Sequence, residues 1–318
     1  MLEAALDYLG CPACGADKPL LLARANERDG EAIVSGEAKC PACGKGYPIR
    51  GKILDFLGEE PKSDPTPAQR LMESLPVVRI YEKSWRPTLL RLVQPRLGFE
   101  EEFRLVSRLL RLEPGDAVAD LACGPGNYAR RWAKFVQSEK KGGLVIGVDR
   151  SSPMLQEAVR TAKAENVGNL CFVRADAHRL PLRSKKFAGI SCCAAIHLFS
   201  NPGFVVQEIG RALAPGGRFA CLTVGTSRSD MGRWIEQGIE LVSGLHFFEA
   251  REFPRLCDTA GLEWVEDKRL GPIWIIGARR PPLAGKSAPP AAGSGRKAKS
   301  RKTGAAPKRA KPAKSKAA

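Results

Sequence analysis

AVADLACGPGNYA, residues 117–129, is apolar from Ala117 to Ala122 except for Asp120, breaks at Gly124-Pro125-Gly126 and runs on into helix-forming sequence from Asn127. That order is strand, glycine turn, helix start. Glycines at such a turn let the backbone approach a ligand where a Cβ would clash, and the helix that follows presents unpaired N–H groups. The stretch is a cradle for a nucleotide-like cofactor. Gly124-x-Gly126-x-x-Ala129 also fits the dinucleotide fingerprint, so the sequence around it has to decide what is bound.

Around this stretch the pattern alternates regularly. Strands are expected at residues 144–149 (LVIGVD), 170–176 (LCFVRAD), 187–193 (FAGISCC) and 218–224 (RFACLTV), with Pro215-Gly216-Gly217 as a turn before the last. Helical sequence lies between them. Ser152-Pro153 and Asn201-Pro202 read as helix starts, with proline at the first helical position. Ahead of the cradle, residues 100–112 place Phe103, Val106, Leu109 and Leu110 on one helical face. Strands spaced by helices imply a parallel sheet with right-handed crossovers, covered on both faces, whose ligands bind at the carboxyl ends of the strands.

Three strands carry an acid at or near that end. Asp149 closes the second strand 23 residues beyond Gly126, the usual spacing for a carboxylate that accepts hydrogen bonds from ribose hydroxyls. Asp176, followed by Ala177, closes the third and can meet an adenine edge. Asp120 lies inside the first, where its charge would repel a pyrophosphate and attract a ligand ammonium. An adenosine carrying an amino acid suits all three. For Asp120 a water-mediated contact is as consistent as a direct one.

Near the N-terminus, Cys11-Pro-Ala-Cys14 and Cys40-Pro-Ala-Cys43 form two Cys-x-x-Cys knuckles, each followed by a glycine, Gly15 or Gly44. Four thiolates so spaced can surround one zinc ion tetrahedrally, with no position left for chemistry; redox thiols are the competing reading. Short strands are expected at residues 32–38, at Tyr47-Pro-Ile and at residues 53–57. This module has too few apolar residues for a core of its own, so metal would supply much of its stability.

The chain therefore divides into a zinc ribbon (1–58), a linker and helical lid segment (59–99) that includes Tyr81 and Trp85, an α/β domain (100–280) and a Lys/Ala/Pro-rich tail (281–318). The net charge of +17 is concentrated in that tail. Its eleven Lys and Arg residues face no acid, and subtracting them leaves +6 on the rest. The tail cannot bury a core and is expected to be disordered; it can hold RNA by counterion release or serve only as a solubilising extension. No run of about 18 apolar residues suggests a membrane span, and Met-Leu-Glu does not begin like a secretory signal. Ten cysteines with no evident disulfide framework point to a reducing, cytoplasmic setting.

The set DLACGPG, GVD, RADA and LAPGG, in this order and spacing, resembles the class I S-adenosylmethionine-dependent methyltransferases of the methyltransferase-11 type over about residues 100–280. The resemblance implies a Rossmann-like seven-stranded sheet whose last strand runs antiparallel between its neighbours, formed by a hairpin of residues 262–268 and 273–278. It places Asp120 and the Gly124/Gly126 backbone at the methionine part of S-adenosylmethionine, Asp149 at the ribose and Asp176-Ala177 at the adenine. The ribbon ending in CGKGYPI, followed by Tyr81-x-x-x-Trp85-Arg86, resembles a group of bacterial and plastid methyltransferases of undefined substrate. A related arrangement occurs in zinc-ribbon rRNA guanine methyltransferases, from which this chain differs in its all-cysteine ligands and in the segment after the ribbon.

An acceptor site is expected beside residues 194–199, AAIHLF, where His197 titrates in a range suited to deprotonating a hydroxyl or amine. A histidine there also serves by holding its loop through backbone hydrogen bonds. The segment lacks the Asp/Asn-Pro-Pro-Tyr sequence of nucleic-acid amino-methyltransferases and the Pro-Cys of cytosine-5 enzymes. Cys192 and Cys193 read as buried strand thiols rather than nucleophiles. The expected activity is methyl transfer to an acceptor that leans towards a small molecule. An rRNA base held by ribbon and tail is the alternative, and a non-catalytic nucleic-acid-binding protein the second.

Overall fold

The computed structural model describes residues 1–58, 97–227 and 229–283. Residues 59–96 of the expected linker and lid, with Tyr81 and Trp85, and the tail beyond residue 283 lie outside the described residues, while Phe99 already belongs to a helix.

Strands β1 (Leu21–Asp29), β2 (Ala32–Lys39), β3 (Gly46–Arg50) and β4 (Ile53–Asp55) form the N-terminal ribbon. Helix α1 (Phe99–Leu110) leads into β5 (Ala117–Leu121), α2 (Asn127–Val136), β6 (Leu144–Asp149), α3 (Ser152–Ala164) and β7 (Leu170–Arg174). Then come β8 (Phe187–Cys193), α4 (Pro202–Ala212), β9 (Leu213–Val224), α5 (Asp230–Ser243), α6 (Glu252–Thr259), β10 (Glu263–Leu270) and β11 (Ile273–Arg279).

All of these strands belong to one sheet, in the order β1-β2-β3-β4-β7-β6-β5-β8-β9-β11-β10. It has eleven strands where seven were expected, because the ribbon adds four to the edge at β7. Short β4 lies parallel to β7, with Ile53, Leu54 and Asp55 opposite Phe172, Val173 and Arg174. Pairing satisfies the backbone groups that β7 would otherwise expose as an edge. The ribbon strands pair antiparallel among themselves, and the β10–β11 hairpin inserts β11 antiparallel to β9. From β5 the chain winds one way through β6 and β7 and the other way through β8 and β9. That reversal makes the carboxyl end of β5 the switch point where a ligand crevice opens.

Period-two alternation sends the two halves of each central strand to different layers. Val118, Val145 and Phe172 pack with Leu105, Val106, Trp132, Ala133, Leu155 and Ala158, beneath α1, α2 and α3. Ala119, Leu121, Ile146 and Ile190 pack on the other face with Val205 and Ile209 of α4, a cluster that continues into Leu6, Leu9 and Ile33 of the ribbon. The module judged too small for its own core thus shares the core of the α/β domain.

Three local details differ from expectation. The cap of α3 is Ser151, one residue earlier than read, with its hydroxyl accepting from Met154 N at 3.4 Å. Strand β9 begins at Leu213, which pairs with Phe187; the ladder then shifts register so that Arg218 faces Gly189, and Pro215-Gly216-Gly217 loops out between. Strand β1 had no apolar alternation to announce it, since almost all of it is exposed, and it exists by pairing with β2. Among the described residues no helix is long and apolar enough to cross a membrane.

Candidate cofactor cleft and cysteine cluster

A cleft opens at the switch point, between the carboxyl ends of β5, β6, β7 and β8. Asp149 stands on one wall. Its Oδ2 accepts from Gly124 N and its Oδ1 from Ser151 N, each at 2.8 Å, so the glycine turn and the start of α3 both hold the carboxylate in place. Gly124 adopts φ +54°, and a Cβ built there would meet nothing nearer than Met154 Sδ at 4.0 Å. It would project into open cleft, so glycine keeps a cradle clear at this point.

Gly126, at φ +83°, lies behind Gly124 and starts α2 instead of lining the cleft. Ala122 and Ala194, at the ends of β5 and β8, also take positive φ, +50° and +60°, and both line the cleft. Non-glycine residues held in that region mark a site that its surroundings over-determine. Their alanine identity gave no sequence signal.

Asp176 and Ala177 form the adjoining wall. Asp176 Oδ1 accepts from His178 N at 2.9 Å, capping the short 3-10 turn Ala177–Arg179, and lies 2.8 Å from His178 Nδ1. His178 itself lines the cleft, edge-on to Phe199. Sequence reading passed over it, although its place two residues after a strand-end acid was a usable signal.

Besides Gly126, two further expected residues are placed away from the cleft wall. Asp120 is buried on the α2 side of the sheet and is absent from the cleft wall. Its Oδ1 accepts from Ser191 Oγ at 2.7 Å, and that hydroxyl accepts in turn from Trp132 Nε1 at 3.1 Å. Burial pushes the Asp120 carboxyl up to about 7, with the charge of Asp149 adding and hydrogen bonds from Ser191 and the Ala129 backbone opposing. His197 is also off the wall, though Ala194, Ala195, Leu198 and Phe199 around it line the cleft. It is buried, with Nδ1 3.3 Å from Thr223 Oγ1, and its carbonyl accepts from His246 N at 2.8 Å. Burial, reinforced by His246, lowers it to about 4, so it is neutral at pH 7 and holds its loop. Cys192 is fully buried, and burial raises its thiol, as expected of an inert core cysteine.

The Sγ atoms of Cys11, Cys14, Cys40 and Cys43 all lie within 4.8 Å of one another. Cys11–Cys43 is 3.7 Å and Cys14–Cys40 is 3.8 Å. A tetrahedron of sulfurs about 2.3 Å from its centre has edges of about 3.8 Å, so the set is compatible with a metal ion. Each knuckle turns through its glycine, Gly15 N bonding Cys11 O and Gly44 N bonding Cys40 O, both at 2.9 Å. Outside the set, Tyr47 OH lies 2.9 Å from Cys11 Sγ.

A mixed sheet reversing at β5, with an inserted antiparallel β11 and strand-end acids around a glycine cradle, defines the methyltransferase version of the Rossmann-like α/β fold. Residues 118–217 match the family described as Methyltransferase domain. The chain is 30% identical over 284 residues to the uncharacterized chloroplastic methyltransferase At2g41040 of Arabidopsis thaliana, covering 85% of this chain and 77% of that one. It is also 36% identical over 110 residues to a demethylmenaquinone methyltransferase of Symbiobacterium thermophilum, covering 34% of this chain and 43% of the relative. The fold is shared with phosphoethanolamine N-methyltransferase 2 of Haemonchus contortus in complex with S-adenosyl-L-methionine, at a TM-score of 0.56, 15% identity and coverage of 70% and 61%. The chain belongs to the S-adenosylmethionine-dependent methyltransferases.

Proposed function

We propose that this protein transfers the methyl group of S-adenosylmethionine to a small-molecule acceptor, with one zinc ion held by Cys11, Cys14, Cys40 and Cys43 as a structural element. The observation that carries the reading is the continuity of the cleft, from the Asp149 carboxylate through Asp176 and Ala177 to the apolar wall of Ala194, Ala195, Leu198 and Phe199. In this reading Asp149 holds the ribose, Asp176 and Ala177 border the adenine, and the backbone of Gly124 lets the amino-acid part lie against the turn. Asp120 acts from behind the turn, through Ser191 and the start of α2.

When bound, the sulfonium supplies an electrophilic methyl group, so that alignment and exclusion of water carry most of the catalytic burden. The apolar wall after β8 provides the exclusion and suits an acceptor with a flat or hydrocarbon body. Among the described residues that wall carries no cation, and Arg150 is the arginine that lines the cleft, beside Asp149; an apolar wall of this kind favours a small molecule over an RNA base. His178 is the histidine with access to the cleft, and any proton released by the acceptor passes to it. All four sulfurs of the ribbon are committed to one ion, which leaves no open position for catalysis.

The experiment is transfer of labelled methyl into a cell extract separated into small-molecule, RNA and protein fractions, with full-length chain and a chain ending at residue 283. Label in the small-molecule fraction, unaffected by truncation, is expected. Label in RNA that falls on truncation would replace this reading with an RNA methyltransferase tethered by its tail. In the same assay His178→Asn should lose transfer about 10²-fold or more while keeping cofactor binding. Undiminished transfer would return His178 to a packing role.

A further inference from the structure

Arg174, the last residue of β7, sits where the ribbon meets the cofactor cleft. Its Nη1 donates to Asp55 Oδ2 at 3.2 Å and Oδ1 at 3.4 Å, and to Gly58 O at 2.6 Å, all at the end of the ribbon. Its Nε donates the other way, to Arg150 O at 3.0 Å. The pair is largely enclosed, with 19% of the Arg174 side chain and 12% of Asp55 exposed. Asp55 is itself fixed, since its Oδ1 accepts from Leu57 N at 2.9 Å and Gly58 N at 3.1 Å.

The carbonyl that Arg174 holds and the Ser151 N–H belong to the same peptide group. That group is planar and trans, so its oxygen and its N–H point in opposite directions. Arg174 grips one side, and Asp149 Oδ1 receives the N–H on the other at 2.8 Å. Asp149 Oδ2 in turn takes Gly124 N, also at 2.8 Å. One unbroken line of hydrogen bonds thus runs from the ribbon carboxylate, through a guanidinium and a single peptide plane, to the carboxylate and glycine turn of the cleft. Beside it, Phe56 N bonds Arg174 O at 2.9 Å and Ala175 N bonds Asp149 O at 3.0 Å, tying the three strand ends together.

We propose that Arg174 and Asp55 are positioning residues for the cofactor cleft, so that the ribbon builds part of the cofactor site instead of standing apart as an independent module. Arginine suits the task because its planar fork fixes donors on two separate nitrogens, Nε towards Arg150 O and Nη1 towards Asp55 and Gly58, whereas a lysine carries all its N–H groups on one flexible nitrogen. Losing the grip frees the Arg150–Ser151 peptide to rotate, and the Asp149 carboxylate loses its fixed aim.

The inference rests on the cofactor reading above, and its test separates the two. Binding of S-adenosylhomocysteine is measured by calorimetry on the full chain, well below each variant's melting temperature, for wild type, Arg174→Lys, Asp55→Asn and the double variant. A fifth protein, Arg183→Ala, serves as control. Arg183 also ties ribbon to domain, donating to Asp7 O at 2.8 Å, but its contacts do not reach residues 149–151.

The expected result is affinity weakened roughly five- to tenfold in each single variant, no further loss in the double, and affinity close to wild type in Arg183→Ala. Unchanged affinity in Arg174→Lys would overturn the proposal. Equal weakening in Arg183→Ala would also overturn it, by showing that any loosening of the ribbon has the same effect. A wild-type chain that did not bind would sink the cofactor reading and this inference together.

Discussion

At the scale of single residues, the same side-chain chemistry has opposite fates according to where the backbone leaves it. Asp149 and Asp120 are both strand carboxylates near the glycine turn. Asp149 is held by two backbone N–H groups on the cleft wall, whereas Asp120 is buried against Ser191. A carboxyl raised from 3.8 to about 7 keeps its proton in the folded chain over a range where the unfolded chain has lost it. Stability from this group is therefore full below pH 3.8 and declines as pH rises to about 7, where it levels off. Asp120→Asn removes the titration and keeps an acceptor for Ser191. Its stability advantage over wild type should grow across that window, by up to about 4 kcal/mol. Chemical denaturation at a series of pH values checks this; a difference constant with pH would show that Asp120 is not raised.

At the scale of elements, the turn between β5 and α2 shows why glycine was a reliable guide. Gly126 needs φ +83°, while a Cβ there would meet only ordinary contacts at 3.4 Å from Ala158 and Phe172. The penalty of Gly126→Ala is thus one of backbone conformation, about 1–2 kcal/mol, or a fall in melting temperature of roughly 2–8 °C. Because Gly126 is the N-cap of α2, cofactor affinity should fall as well. A melting temperature equal to wild type would mean that the turn relaxes without cost. Helix α4 shows a cap that was legible in advance, with Asn201 Oδ1 accepting from Phe204 N at 3.3 Å and Pro202 next to it.

At the scale of the whole molecule, the ribbon and the α/β domain share a sheet and a core, so loosening one reaches the other. Cys40→Ser removes one of the four clustered sulfurs. Metal per chain, measured by elemental analysis after gel filtration, should fall well below the wild-type value, and the melting temperature should drop by several degrees, about 2–4 °C for each kcal/mol lost. Metal content equal to wild type would remove the metal site.

By itself the sequence determined the features whose physical requirement is local. A positive-φ turn needs glycine, a helix start shows its cap and proline, and thiolates spaced as two knuckles can close on one point. Strand-end acids stand out because alternation of strand and helix indicates which end of the sheet they share. Asp149, Asp176, Ala177 and Gly124 were therefore legible and stand together on the cleft. Only the tertiary structure decided what depends on partners far apart in the chain. Asp120 meets Ser191 71 residues away, His197 meets Thr223 26 residues on, and Arg174 reaches back 119 residues to Asp55. No local pattern encodes those meetings, because they are fixed by strand order and register. The addition of the ribbon to the sheet edge, and with it the link from Asp55 to Asp149, arises from backbone pairing that almost any side chains would permit.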